Sequence, residues 1–182
     1  MKKQVILVTD GDQVAQQAVY QACKNLNLCP IMASGGNPTP LKGTAILSLI
    51  TRAPFGPVVV MVDDRGKVGQ GKGERVLEYL LNNEEIHVLG VVAVASNTKR
   101  AGGVVVNESV DWRGKIISQP VNKEGKPERK ENLYLEGDTV EVLSHYPTVK
   151  VVGCGDLGKM EGNDDPHKGA MITTACFERL LE

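Results

Sequence analysis

Val5-Ile6-Leu7-Val8-Thr9-Asp10-Gly11-Asp12 begins with four consecutive apolar residues and ends in a polar turn that carries two carboxylates. A short unbroken apolar run fits a strand buried on both faces, as in a parallel sheet, whereas a strand with one wet face would alternate. Behind it, Val14, Ala15, Ala18, Val19, Ala22 and Leu26 recur near the helical period, and Asp12 is placed to cap that helix. A strand buried on both sides needs helices above and below it. The expected class is therefore α/β: a mostly parallel sheet with helices on both faces. Asp10 and Asp12 then stand at the carboxyl edge of the sheet, where open parallel sheets bind ligands.

The same unit recurs along the chain. Residues 29–33 read as a short second strand, residues 34–40 are dense in turn formers, and residues 41–52 form a helix stopped by Pro54 and Pro57. Residues 57–62 make a third strand, as apolar as the first, and it ends in Asp63 and Asp64. A glycine-rich loop, residues 66–74, opens a third helix through Val76, Leu77, Leu80 and Leu81. Its glycine spacing matches neither dinucleotide nor triphosphate loops, and the two preceding acids would repel phosphate, so it reads as a mobile loop. Residues 86–95 are the most apolar segment and belong at the sheet centre, with Ser96 and Asn97 at the carboxyl end.

Residues 102–132 depart from this rhythm and read as a small antiparallel β appendage, a hairpin or meander, inserted in a single domain spanning residues 1–182. It holds Trp112, the one tryptophan, and a charged run, which makes it the candidate partner contact. The α/β pattern then returns with a capped short helix from Gly137, a strand over residues 149–152 and a closing helix over residues 170–181. Between the last two lies a loop with four glycines, residues 153–165, that carries Gly155, Asp156 and Lys159. It is longer than a plain connection requires.

Twenty-one basic against 22 acidic side chains leave a formal charge of −1, so no overall field gathers nucleic acid or anionic lipid. The start lacks the apolar core of a signal peptide, and no stretch approaches the roughly 20 apolar residues of a membrane span. A soluble, cytoplasm-facing chain is expected. Cys23, Cys29, Cys154 and Cys176 include no paired spacing, which suits reduced thiols better than disulfides or a zinc site.

Three strand ends, with Asp10 and Asp12, Asp63 and Asp64, and Asp156, would suffice for Mg²⁺ or Ca²⁺; equally, the acids could only cap helices and turns. Toprim-type phosphotransferases and nucleases hold metal on an acid after the first strand and an Asp-x-Asp after a later one. Here the match is poor, because Asp63 and Asp64 are adjacent and the first strand ends in Asp rather than Glu. His87, His145 and His167 share no ligand spacing, and no base is tied to Cys154, so no catalytic site is legible. Ser96, Asn97, Gly155 and Lys159 complete the candidate ligand-binding set, and a small-molecule sensor stays open beside the enzyme alternative.

Residues 8–12 (Val-Thr-Asp-Gly-Asp), 33–39 (Ala-Ser-Gly-Gly-Asn-Pro-Thr), 61–66 (Met-Val-Asp-Asp-Arg-Gly), 88–98, 137–139 (Gly-Asp-Thr) and 155–160 (Gly-Asp-Leu-Gly-Lys-Met) together resemble the soluble form of stage V sporulation protein AE. The matches run from the first strand to the last loop. The resemblance implies a component of the machinery that moves dipicolinic acid, with calcium, into the forespore and out again in germination. It implies other stage V sporulation proteins as partners, a peripheral position at the spore inner membrane through them, no nucleic acid and no catalytic residues.

Overall fold

In the computed structural model, which describes residues 2–65, 71–96, 103–129, 131–137 and 139–182, the opening stretch is strand β1 (Lys3–Val8). It leads through helix α1 (Gln13–Leu26) to β2 (Cys29–Pro30), then through α2 (Gly43–Arg52) to β3 (Val58–Met61) and through α3 (Lys72–Leu81) to β4 (Ile86–Val94). Three short strands follow: β5 (Gly103–Val105), β6 (Glu108–Val110) and β7 (Ile116–Ile117). The chain closes with β8 (Tyr134–Glu136), β9 (Val151–Cys154) and α4 (Met171–Leu181). Asn97, most of the glycine-rich loop (66–70) and Asp138 lie outside the described residues.

The main sheet has the order β2-β3-β1-β4-β9-β6-β7, parallel throughout except for β7 at one edge. Its alternating side chains divide the core in two. Val5, Leu7, Val58 and Val60 pack with Ile46 and Ile50 of α2 and Leu77 and Leu80 of α3. Ile6, Val8, Val59 and Met61 pack with Ala15 and Val19 of α1 and Cys176 and Phe177 of α4. Both faces are thus covered by helices, as the unbroken apolar strands required. Val91, Val92 and Ala93 of β4 are wholly buried between β1 and β9, and each such valine contributes about 1.5–3 kcal/mol by leaving water. All four cysteines are free and buried. Among the described residues no helix is long and apolar enough to cross a membrane.

Three local departures from the expected pattern have physical causes. The second strand stops at Pro30 because β2 is an edge, and the chain turns at once into a 3-10 turn (Met32–Ser34) whose buried Ser34 hydroxyl accepts the amide of Met61. The stretch expected to form one appendage is divided. Within it, β6 joins the main sheet beside β9 with β7 hairpinned onto it, while β5 pairs with β8, beyond residue 132, in a separate antiparallel ribbon. Finally, α4 follows Ala170 in a left-handed conformation with no cap of its own; the fully buried Asp164 caps it from a distance, taking the amides of Ile172 and Thr173 and the Thr173 hydroxyl.

Candidate functional site

Because β1 leads to α1 on one face while β3 leads to α3 on the other, the connections that leave these two adjacent strands diverge. Such a switch point is where open parallel sheets form a crevice. Thr9 ties the two middle strands together there, its hydroxyl accepting the amide of Val94 at 2.9 Å. Beyond it the walls are Asp10 and Asp12 from β1, Asp63 from β3, Ser96 from β4, and Asp156 and Lys159 from the loop after β9; they enclose about 180 Å³.

Asp12 divides its carboxylate between two tasks. Oδ1 accepts the amides of Val14 and Ala15, both at 2.9 Å, which starts α1. Oδ2 accepts the Lys159 ammonium at 2.7 Å, and the same ammonium lies 3.1 Å from Asp156. Although burial opposes ionisation, the Lys159 bond and the two amides hold Asp12 below the usual carboxylate range. Burial likewise works against the charge on Lys159, but Asp12 and Asp156 together raise its pKa. Lys123 stands farther off, 4.0 Å from Asp156. Its loop reaches the site because Gly155 has no side chain: a Cβ there would meet the backbone of Gly125 at 2.5 Å and of Lys123 at 2.6 Å. The amide of Asp156 donates to the Lys123 carbonyl across that contact.

Asp10 is buried, 8 % exposed, and among the described residues accepts only the Asp12 amide, at 3.2 Å. Burial, reinforced by the charges of Asp12, Asp63 and Asp156, pushes its pKa up to about 8, so at neutral pH it is mostly protonated. Asp63 faces the cavity with Oδ2 accepting the Gly11 amide and Oδ1 that of Arg65. Asp64 turns away: its oxygens accept the amides of Gly73 and Glu74 and start α3. Two adjacent residues on an extended chain point in opposite directions, and so only one of them reaches the cavity. Of the expected set, Asp10, Asp12, Asp63, Ser96, Asp156 and Lys159 meet here, Gly155 shapes the wall, and Asn97 lies outside the described residues.

Asp10, Asp12 and Asp156 each offer one oxygen within 4.8 Å of the others. Opposed oxygens in the shell of a hard cation are spaced by up to about 5 Å, so the set fits Ca²⁺, and Mg²⁺ with waters retained. Such an ion would compete with the Lys159 ammonium for the same oxygens. Lys123 and Thr9 were not foreseen as members of the site. Cys154 is fully buried beside Cys176, and that contact together with burial raises its thiol pKa well above the ordinary value, which leaves it inert as a nucleophile.

The family model described as Stage V sporulation protein AE1 matches residues 4–182, and the chain belongs to that family. Membership carries a role in sporulation. Neither curated proteins nor solved structures give a match.

Proposed function

We propose that this member of the stage V sporulation protein AE1 family is a non-enzymatic accessory of the machinery that moves dipicolinic acid, with calcium, into the forespore and releases it in germination. The observation that supports it is a single cavity at the switch point presenting Asp10, Asp12 and Asp156 beside Lys123 and Lys159. Groups of both signs within a few ångström suit a cation that travels with a carboxylate anion: the acids take the metal and the lysines face its counter-charge. In this view the protein is soluble and sits at the spore inner membrane through other stage V sporulation proteins. Its docking surface is the region of residues 103–131, where the Arg113 guanidinium lies 4.5 Å from the centre of the Trp112 ring and Val105 is 60 % exposed.

Deletion of the gene in spores, with dipicolinic acid content and release rate as the readouts, tests this. A changed content or rate that is restored by the wild-type chain and not by Trp112→Ala supports it; unchanged spores overturn it. The competing class is a metal-dependent phosphotransferase or nuclease using the same carboxylates. Purified wild-type protein that cleaves DNA or a phosphoester with Mg²⁺, and loses that activity on Asp10→Asn with Asp63→Asn, would put the enzyme in its place.

A further inference from the structure

A second cavity, of about 470 Å³, lies outside the site described above, between the amino ends of α2 and α3. Its charged walls are Lys42, Lys72 and Arg75, and no carboxylate lines it. None of the three cations has an ion-pair partner among the described residues, whereas the lysines of the strand-end cavity are engaged with acids. The nearby carboxylate of Asp64 is buried and committed to the first amides of α3. On a chain whose formal charge is −1, three cations around one cavity, without an ion pair among the described residues, form a local concentration of positive charge.

Apart from the hydroxyls of Thr44 and Tyr79, the rest of the lining is apolar or bare backbone. Leu41, Val76 and the Tyr79 ring form one side, and Tyr79 lies so close to Gly43 that a Cβ at that position would come within 2.5 Å of the ring. Gly43 and Thr44 open α2 with no acidic residue in the first turn and no side-chain cap, so the positive end of the helix faces an already basic cavity. A cavity this size is far larger than a bare ion requires, and one wall would accept a ring.

We infer that this groove binds a small organic dianion, a phosphate monoester carried on an apolar or aromatic body. The phosphate meets Lys42, Lys72 and Arg75, and the body lies against Tyr79, Leu41 and Val76. Three cations suit a dianion better than a monocarboxylate, and an arginine beside two lysines supplies both a planar fork and two point charges for phosphate oxygens. This inference does not depend on the strand-end cavity or on its proposed ligand.

The probe is phenyl phosphate, titrated into the full chain and followed by amide chemical shifts. Saturable shifts at Gly43, Thr44 and Tyr79 are expected. Lys42→Gln with Arg75→Gln should weaken binding by roughly tenfold or more, since it removes two charge-assisted contacts to the phosphate. Tyr79→Ala should weaken phenyl phosphate but leave inorganic phosphate unchanged, and benzoate should bind more weakly than phenyl phosphate. These exposed substitutions spare the core, and an unchanged amide spectrum elsewhere confirms the fold. Absence of saturable shifts, or an affinity indifferent to the double variant, overturns the inference. Sedimentation with anionic vesicles that is lost in the double variant, without phenyl phosphate binding, also overturns it in favour of a lipid surface.

Discussion

The Lys159 ammonium sits 2.7 Å from Oδ2 of Asp12, joining two residues 147 positions apart and locking the loop after β9 onto the first turn of α1. Because it also meets Asp156, it acts as an internal cation between two carboxylates. Lys159 is 40 % exposed, so solvent screens the pair and its loss costs only about 0.5–1 kcal/mol. Lys159→Met should lower stability by that amount at neutral pH. The pKa of Asp12 is depressed in the folded state, so its contribution is present above the ordinary carboxylate value and is lost as the pH falls through the folded one. The wild-type and variant urea midpoints should therefore converge in acid. A difference that persists there would mean that lost packing, not charge, is responsible.

Asp10 has the opposite sign. Its folded pKa of about 8 lies above the unfolded value of 3.8, so the folded chain binds the extra proton between those limits. Stability from this group is fully present below the unfolded pKa, declines as the pH rises and is gone above about 8. Asp10→Asn, which cannot ionise, should flatten that decline and stabilise the protein by about 2 kcal/mol or more at the alkaline end, with little change near pH 4. Thermal melts across this range give the answer. Parallel pH profiles for the two proteins would mean that Asp10 is ionised in the fold.

Asp164 is fully buried and accepts four hydrogen bonds: from the Gly158, Ile172 and Thr173 amides and from the Thr173 hydroxyl. Asp164→Ala orphans those donors together and uncaps α4, at a cost of about 2–4 kcal/mol. Asp164→Asn keeps one acceptor oxygen, enough for two of the four donors, and should lose less than Asp164→Ala. Equal losses in denaturant titrations would show that the charge, rather than the bonding, is what the site requires.

The parts of the fold that were readable are those where one side chain pattern answers to one environment. The unbroken apolar runs of β1, β3 and β4 could satisfy only a sheet covered on both faces, and the acids after β1, β3 and β9 then had to share its carboxyl edge. What escaped depends on backbone bonds between distant segments, which leave no periodicity. Lys123 reaches the cavity because the Trp112 amide donates to the Gly125 carbonyl and the Asp156 amide to that of Lys123, and any sequence with the right glycines could do the same. Similarly, β6 enters the main sheet over three residues, too short a run to show which strand it would pair with. Asp164 reads in the sequence as one more acid in a glycine-rich loop, since a cap normally stands next to its helix and this one stands seven residues before the first residue of α4.

Val91 is wholly buried in β4 with β1 on one side and β9 on the other. Val91→Asp would place a carboxylate where nothing can hydrate or pair it, costing several kcal/mol against a total stability of roughly 5–15. The variant should be recovered only as aggregate, and a soluble variant with a normal melting curve would place this strand at an edge.

A divalent cation at Asp10, Asp12 and Asp156 should be coupled to protons, because the ion needs Asp10 ionised and the fold keeps it mostly protonated at neutral pH. Binding at pH 7 should therefore release close to one proton, and affinity should rise as the pH is raised towards 8, where Asp10 loses its proton unaided. Calorimetry of Ca²⁺ binding in buffers of different ionisation enthalpy measures that proton directly. Lys159→Met removes the internal competitor, so the ion should bind the variant more tightly than the wild type; Asp156→Asn removes a ligand's negative charge and should weaken it by roughly tenfold or more. Each effect should also appear as a matching change in the rise of melting temperature with added Ca²⁺, since a ligand of the folded state stabilises by mass action. Binding that releases no proton and ignores both substitutions would locate the ion elsewhere on the surface, and the strand-end cavity would then have to be explained by the Lys159 ion pairs alone.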